Sequence, residues 1–127
     1  MFLKRILYAE DEMHIQVVAK LALERIGGFD VMACSSGLEV LACAEAFLPD
    51  LILLDVMMPG LDGPSTLQQL RQKPQFFGTP VVFMTAKVQH DEVEYYKSLG
   101  VVEVLAKPFN SAELSNQLRA IWARFYE

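Results

Sequence analysis

Residues Pro49 to Gly63 read PDLILLDVMMPGLDG. An unbroken apolar run, Leu51-Ile52-Leu53-Leu54, is followed at once by a carboxylate, Asp55. A loop built on Pro59, Gly60, Asp62 and Gly63 comes next. A run that does not alternate suits a strand buried on both faces, as in a parallel sheet covered by helices. In open sheets of that kind, ligands bind outside the carboxyl ends of the strands. Asp55 therefore stands at the edge where such a fold does its chemistry.

The rest of the chain supplies the other strands and the helices between them. Ile6 to Ala9 reads as the first strand and ends in Glu10-Asp11-Glu12. Ile15, Val18, Ala19, Ala22 and Ile26 then make an apolar stripe at helical spacing, stopped by Gly27-Gly28. Phe29 to Cys34 is a second strand, Ser35-Ser36-Gly37 a turn or N-cap, and Leu38 to Phe47 a second helix. Pro64 suits the first position of a third helix reaching about Gln72, with Leu67 and Leu70 facing inward. Phe76-Phe77 in the following link reads as a hydrophobic plug.

Pro80 to Met84 is the fourth strand, ending in Thr85, and Asp91 to Leu99 the fourth helix. Val101 to Ala106 is the fifth strand, ended by Lys107-Pro108. Asn110-Ser111-Ala112-Glu113 looks like a capping box. It would open a last helix with Leu114, Leu118, Ile121, Trp122 and Phe125 on its apolar stripe. Strict alternation predicts an α/β fold, a doubly wound parallel five-stranded sheet with helices on both faces. The 127 residues are expected to form one domain, 1–127.

The net charge of −5 argues against non-specific binding to nucleic acid. No apolar run approaches the ~20 residues that span a bilayer, and no signal-peptide pattern opens the chain. The expected location is the cytoplasm. Cys34 and Cys43 have no metal or redox spacing and read as small apolar residues in a reducing compartment.

In a parallel sheet all strand C-termini share one edge. Those ends carry Glu10 and Asp11, Asp55, Thr85 and Lys107. Clustered carboxylates repel unless a cation neutralises them, and hard oxygens suit Mg²⁺. Glu10 and Asp11 would supply a metal site. Asp55 would share it and keep one oxygen free as a nucleophile. Lys107 and Thr85 would meet the oxygens of a transferring phosphoryl group, giving an aspartyl phosphate. Taken singly, each has an ordinary reading: a loop-start acceptor, a strand threonine, a surface lysine. Glu12 reads best as an acid favoured by a helix N-terminus. The coincidence of four strand ends carries the reading.

The segments YAEDE (Tyr8 to Glu12), LILLDVMMPGLDG (Leu51 to Gly63), FMTA (Phe83 to Ala86) and VLAKPF (Val104 to Phe109) stand in one order and spacing. On them, essentially the whole chain resembles a receiver domain of the response-regulator family of two-component signalling. The resemblance implies a flavodoxin-like fold with strand order 2-1-3-4-5. It implies that Asp55 is the phosphoacceptor, charged by a sensor histidine kinase or a histidine phosphotransfer protein. It implies Mg²⁺, or Mn²⁺ in its place, held by Glu10, Asp11, Asp55 and the backbone carbonyl of Met57. Thr85 and Lys107 would contact the phosphoryl group, and the bond before Pro108 would be cis. The module would be regulatory rather than an enzyme on a separate substrate, catalysing only its own phosphoryl transfer and dephosphorylation.

The same resemblance places the output on the face of the fourth helix, fifth strand and fifth helix. That face would lie around Tyr95, Tyr96, Val102, Val104 and the exposed side of Ala112 to Phe125, and either tyrosine could be the exposed one. Its occupant would be a downstream target or dimer partner. No output domain, no direct nucleic-acid binding and no membrane contact are expected of these residues. One departure stands out. Relatives carry an inward-turning aromatic residue where this chain has Val104, so that rotamer switch is not available here.

Three other readings compete. A small-molecule phosphatase or phosphotransferase would need a second acid two residues after Asp55, where Met57 stands. An unphosphorylated scaffold of the same fold has Val104 in its favour and the full set of pocket residues against it. A flavodoxin would need a Ser/Thr/Gly phosphate cradle after the first strand, where this chain is acidic.

Overall fold

The structure, a computed structural model, describes residues 2–126. Strands and helices alternate: β1 (Arg5–Ala9), α1 (Met13–Arg25), β2 (Asp30–Cys34), α2 (Gly37–Phe47), β3 (Leu51–Asp55), α3 (Gly63–Leu70), β4 (Val81–Thr85), α4 (His90–Ser98), β5 (Glu103–Ala106) and α5 (Leu114–Phe125). A single 3₁₀ turn, Pro74–Phe76, precedes β4. The strands form one sheet in the order β2-β1-β3-β4-β5, and all four pairings are parallel. This is the flavodoxin-like order expected from the sequence.

β3 lies between β1 and β4, and all five of its residues are buried. That accounts for its unbroken apolar run. Its side chains alternate between two cores. Ile52 and Leu54 join Leu7, Ala9, Val81 and Phe83 with Val40, Phe47, Leu67 and Leu70 of α2 and α3. Leu51 and Leu53 join Ile6, Tyr8, Val82 and Met84 with Ala19 and Leu23 of α1 and Leu114, Leu118, Ile121 and Trp122 of α5. Each fully buried leucine contributes roughly 1.5–3 kcal/mol.

α4 is packed differently from the other helices. None of its residues is buried. Val93 and Tyr96 are its half-buried contacts with the core, and Tyr96 meets Phe83 edge-on at 5.4 Å between ring centres. Tyr95 is the exposed member of the tyrosine pair, whereas Val104 is buried. Across the outer face, Glu103 of β5 pairs with Lys97 of α4 at 3.2 Å and Arg124 of α5 at 3.3 Å.

Some local expectations shift. On α1 the inward side is Gln16, Ala19, Ala22 and Leu23, while Val18 and Ile26 are exposed. Apolar residues lie all round this helix, so spacing alone could not set its phase. The capping box at Asn110–Glu113 does not form. Instead the Asn110 side chain accepts from the Ala112 N–H at 2.9 Å, and α5 starts at Leu114 without a side-chain cap. α3 ends at Leu70, two residues early. Of the Phe76-Phe77 pair, Phe76 is the plug and Phe77 is exposed. Ser36 does cap α2, accepting from the Glu39 N–H at 3.2 Å.

Candidate functional site

The strand ends converge as the topology requires. Glu10 follows β1, and its N–H donates to the Cys34 carbonyl at 3.0 Å, extending the pairing with β2 by one step. Asp55 closes β3 and Thr85 closes β4. Lys107 follows β5, and its N–H donates to the Thr85 carbonyl at 2.9 Å. The Lys107-Pro108 bond is cis, as expected.

The Lys107 ammonium ties the cluster together. Its Nζ donates to Glu10 Oε1 at 2.9 Å and to Asp55 Oδ2 at 3.0 Å. The two carboxylate side chains are 1% and 4% exposed, and the lysine 16%. Partial burial pulls the Lys107 pKa down, but the hydrogen bonds and charges of Glu10 and Asp55 outweigh it. The net shift is upward, and the ammonium stays charged.

Asp11 completes the acidic group. One oxygen from each of Glu10, Asp11 and Asp55 lies within 4.8 Å of the others. Three hard carboxylate donors that close fit a small divalent cation such as Mg²⁺ or Mn²⁺. The second oxygens of Glu10 and Asp55 are held by backbone. The Glu12 N–H donates to Glu10 Oε2 at 3.2 Å, and the Met57 N–H reaches Asp55 Oδ1 at 3.4 Å. Thr85 is buried, and its hydroxyl accepts from the Lys87 N–H at 3.1 Å.

The loop after Asp55 is folded back against the strand end. The Gly63 N–H donates to the Val56 carbonyl at 3.0 Å. A Cβ at Gly63 would stand 2.9 Å from the Asp55 carbonyl oxygen and 3.0 Å from Val56 Cα, so a side chain there would displace the acceptor strand. Asp62 caps α3 by accepting from the Ser65 N–H at 2.8 Å. A cleft of about 770 Å³ opens beyond this loop, lined by Val56, Met57, Pro64, Arg71, Tyr95 and Tyr96. None of Glu10, Asp11, Asp55 and Lys107 lines it, so the chemistry sits outside this cleft.

Two further residues belong to the site although the sequence did not single them out. Gln16 is buried, and its amide donates to the carbonyls of Glu10 at 2.8 Å and Cys34 at 3.2 Å. It pins the backbone that carries the acidic pair. Its signal in the sequence is a polar residue in phase with Ala19 and Leu23. Tyr8 is fully buried two residues before Glu10.

Comparison with known proteins agrees with this fold. A family model, the response regulator receiver domain, matches residues 6–119. The alkaline phosphatase synthesis transcriptional regulatory protein PhoP of Bacillus subtilis is 40% identical over 121 residues, covering 95% of this chain and 49% of that protein. The transcriptional regulatory protein CseB of Streptomyces coelicolor is 38% identical over 120 residues, covering 94% and 50%. The chain thus spans about half the length of these relatives. Among solved structures, the chemotaxis response regulator CheY4 of Vibrio cholerae superposes with a TM-score of 0.87 at 27% identity, covering 94% of this chain and 99% of that one. Among the described residues no helix is long and apolar enough to cross a membrane. By the match to its family model and its likeness to these regulators, the chain belongs to the response regulator receiver domain family.

Proposed function

We propose that this domain is a phosphorylation-operated switch in which Asp55 accepts a phosphoryl group from a phosphohistidine. The observation that carries the proposal is the Lys107 ammonium held between two buried carboxylates, beside a third. Asp55 attacks through a carboxylate oxygen. An O–P bond forms, and the P–N bond of the donor histidine breaks with its electron pair returning to the imidazole. Glu10, Asp11 and Asp55, with the Met57 carbonyl, would hold Mg²⁺. The cation would offset charge on the phosphoryl oxygens. Lys107 turns from its carboxylate partners toward one of those oxygens, and the Thr85 hydroxyl donates to another. The donor would be a sensor histidine kinase or a histidine phosphotransfer protein, and the setting cytoplasmic. The domain acts on its own carboxylate rather than on a separate substrate, so its role is regulatory.

Output would leave through α4, β5 and α5 toward a target or a second copy. The weak packing of α4 supports that assignment, since lightly buried elements reorganise at low cost. With Val104 buried at the β5 position, the change would pass through Tyr96 and Val93 rather than through a swinging β5 ring.

The test is intact-mass spectrometry after incubation with acetyl phosphate. Wild type should gain one phosphoryl mass with Mg²⁺ and none in EDTA, and Asp55→Asn should gain none in either. Equal gain by the variant would remove Asp55 from the reaction.

A further inference from the structure

Beneath the carboxylate cluster lies a polar atom that the proposed reaction leaves without a role. Tyr8 is 0% exposed. Its hydroxyl is one of two buried side-chain polar atoms without a hydrogen-bond partner among the described residues, the other being Ser115 Oγ. A buried hydroxyl in that condition is costly and calls for an explanation.

Its position supplies one. Side chains two apart on a strand share a face. Tyr8 lies two residues before Glu10, Leu53 two before Asp55, and Leu105 two before Lys107. Tyr8, Leu53 and Leu105 belong to one buried cluster, and Tyr8 is registered with Leu53 across the β1–β3 pairing. The phenol thus occupies the layer directly under the three charged groups. Both Glu10 oxygens are meanwhile engaged, Oε1 by Lys107 and Oε2 by the Glu12 N–H.

We propose that Tyr8 is a positioning residue whose hydroxyl has no partner while Lys107 holds Glu10 and Asp55, and donates to the Glu10 carboxylate once a phosphoryl group draws Lys107 away. The proposal rests on the phosphoacceptor reading of Asp55. A donor unmet in one state and met in the other favours the second. Tyr8 thereby biases the domain toward its phosphorylated form and holds Glu10 in place within it.

The test compares wild type with Tyr8→Phe, which removes only the oxygen. Thermal melts are recorded in EDTA and again with Mg²⁺ and beryllofluoride, which caps a carboxylate as a phosphoryl group does. In EDTA the variant should melt higher by about 3–5 °C, because an unmet hydroxyl is gone. With Mg²⁺ and beryllofluoride that advantage should vanish or reverse, and half-saturation should need about tenfold more beryllofluoride. A packing role alone would move both states equally. If the variant melts at or below wild type in EDTA, the hydroxyl already has a partner and the proposal fails. If wild type and variant gain equally from the ligand, the proposal fails while the phosphoacceptor reading stands. If wild type itself gains nothing, both fall together.

Discussion

Replacing Lys107 by methionine keeps most of its apolar stem and removes its charge. The ammonium lies 2.9 Å from Glu10 and 3.0 Å from Asp55. At an effective dielectric of ~20, each contact amounts to roughly 6 kcal/mol of attraction before desolvation is counted. Desolvation of the three ions cancels most of that sum, so the pairs add little net stability as a set. Removing the cation alone is different, because two carboxylates then face each other without it. Breaking a buried pair in this way costs about 3–5 kcal/mol. With the lysine side chain 16% exposed, some water reaches the gap, and we expect about 3 kcal/mol. In urea that loss lowers the midpoint by roughly 1.5–2 M in EDTA. Mg²⁺ should then narrow the gap, because in the variant it meets no competing ammonium and binds more tightly. At saturation the gap shrinks by about 1.4 kcal/mol for each tenfold difference between the two dissociation constants. Urea melts of both proteins, with EDTA and with saturating Mg²⁺, measure all four values. A variant as stable as wild type in EDTA would refute the reasoning, and so would a gap that Mg²⁺ leaves unchanged.

Other outcomes follow from the same geometry. Alkaline pH should destabilise the wild type. The raised Lys107 pKa contributes stability that is complete below the unfolded value of ~10.4 and is lost as pH rises through the folded one. The raised Tyr8 pKa acts in the same direction, since the unfolded phenol ionises near ~10 while the buried one stays protonated. Melting temperatures between about pH 9 and 11 should therefore fall steeply in wild type and less steeply in Lys107→Met or Tyr8→Phe, and parallel slopes would contradict this. Gln16→Ala leaves the Glu10 carbonyl without its amide donor, which should cost about 2 kcal/mol in urea melts and weaken Mg²⁺ binding by titration. Gly63→Ala drives a methyl into the Asp55 carbonyl, and should slow phosphorylation by acetyl phosphate at least tenfold while the far-ultraviolet dichroism stays native. A normal rate would show that the loop yields without moving Asp55.

The strands were legible because parallel-sheet burial leaves so little latitude. Leu51–Asp55 has no polar face to offer, and the charged residue that ends it could only lie at the sheet edge. Four such strand ends on one edge place Glu10, Asp55, Thr85 and Lys107 together without any side-chain detail. Helix phase was harder to read. α1 is apolar on several sides, so its inward face is decided by close packing at Ala19 and by the Gln16 amide, a hydrogen-bonding demand that hydrophobic spacing does not register. The Asn110 side chain found a nearer N–H than a capping box would give it. Tyr8 was invisible as a polar residue because it stands in an apolar strand, where a tyrosine counts as one more large side chain.

The central claim is that Asp55 itself carries the phosphoryl group. It is tested most directly by treating the Mg²⁺–acetyl phosphate product with borohydride and mapping the peptides by mass. Borohydride reduces an aspartyl phosphate to homoserine, so the account predicts homoserine at position 55 in the treated sample and aspartate there when Mg²⁺ is withheld. Unmodified Asp55 in phosphorylated protein, homoserine at another aspartate such as Asp11, or the longer alcohol hydroxynorvaline at Glu10 or Glu12, would contradict it.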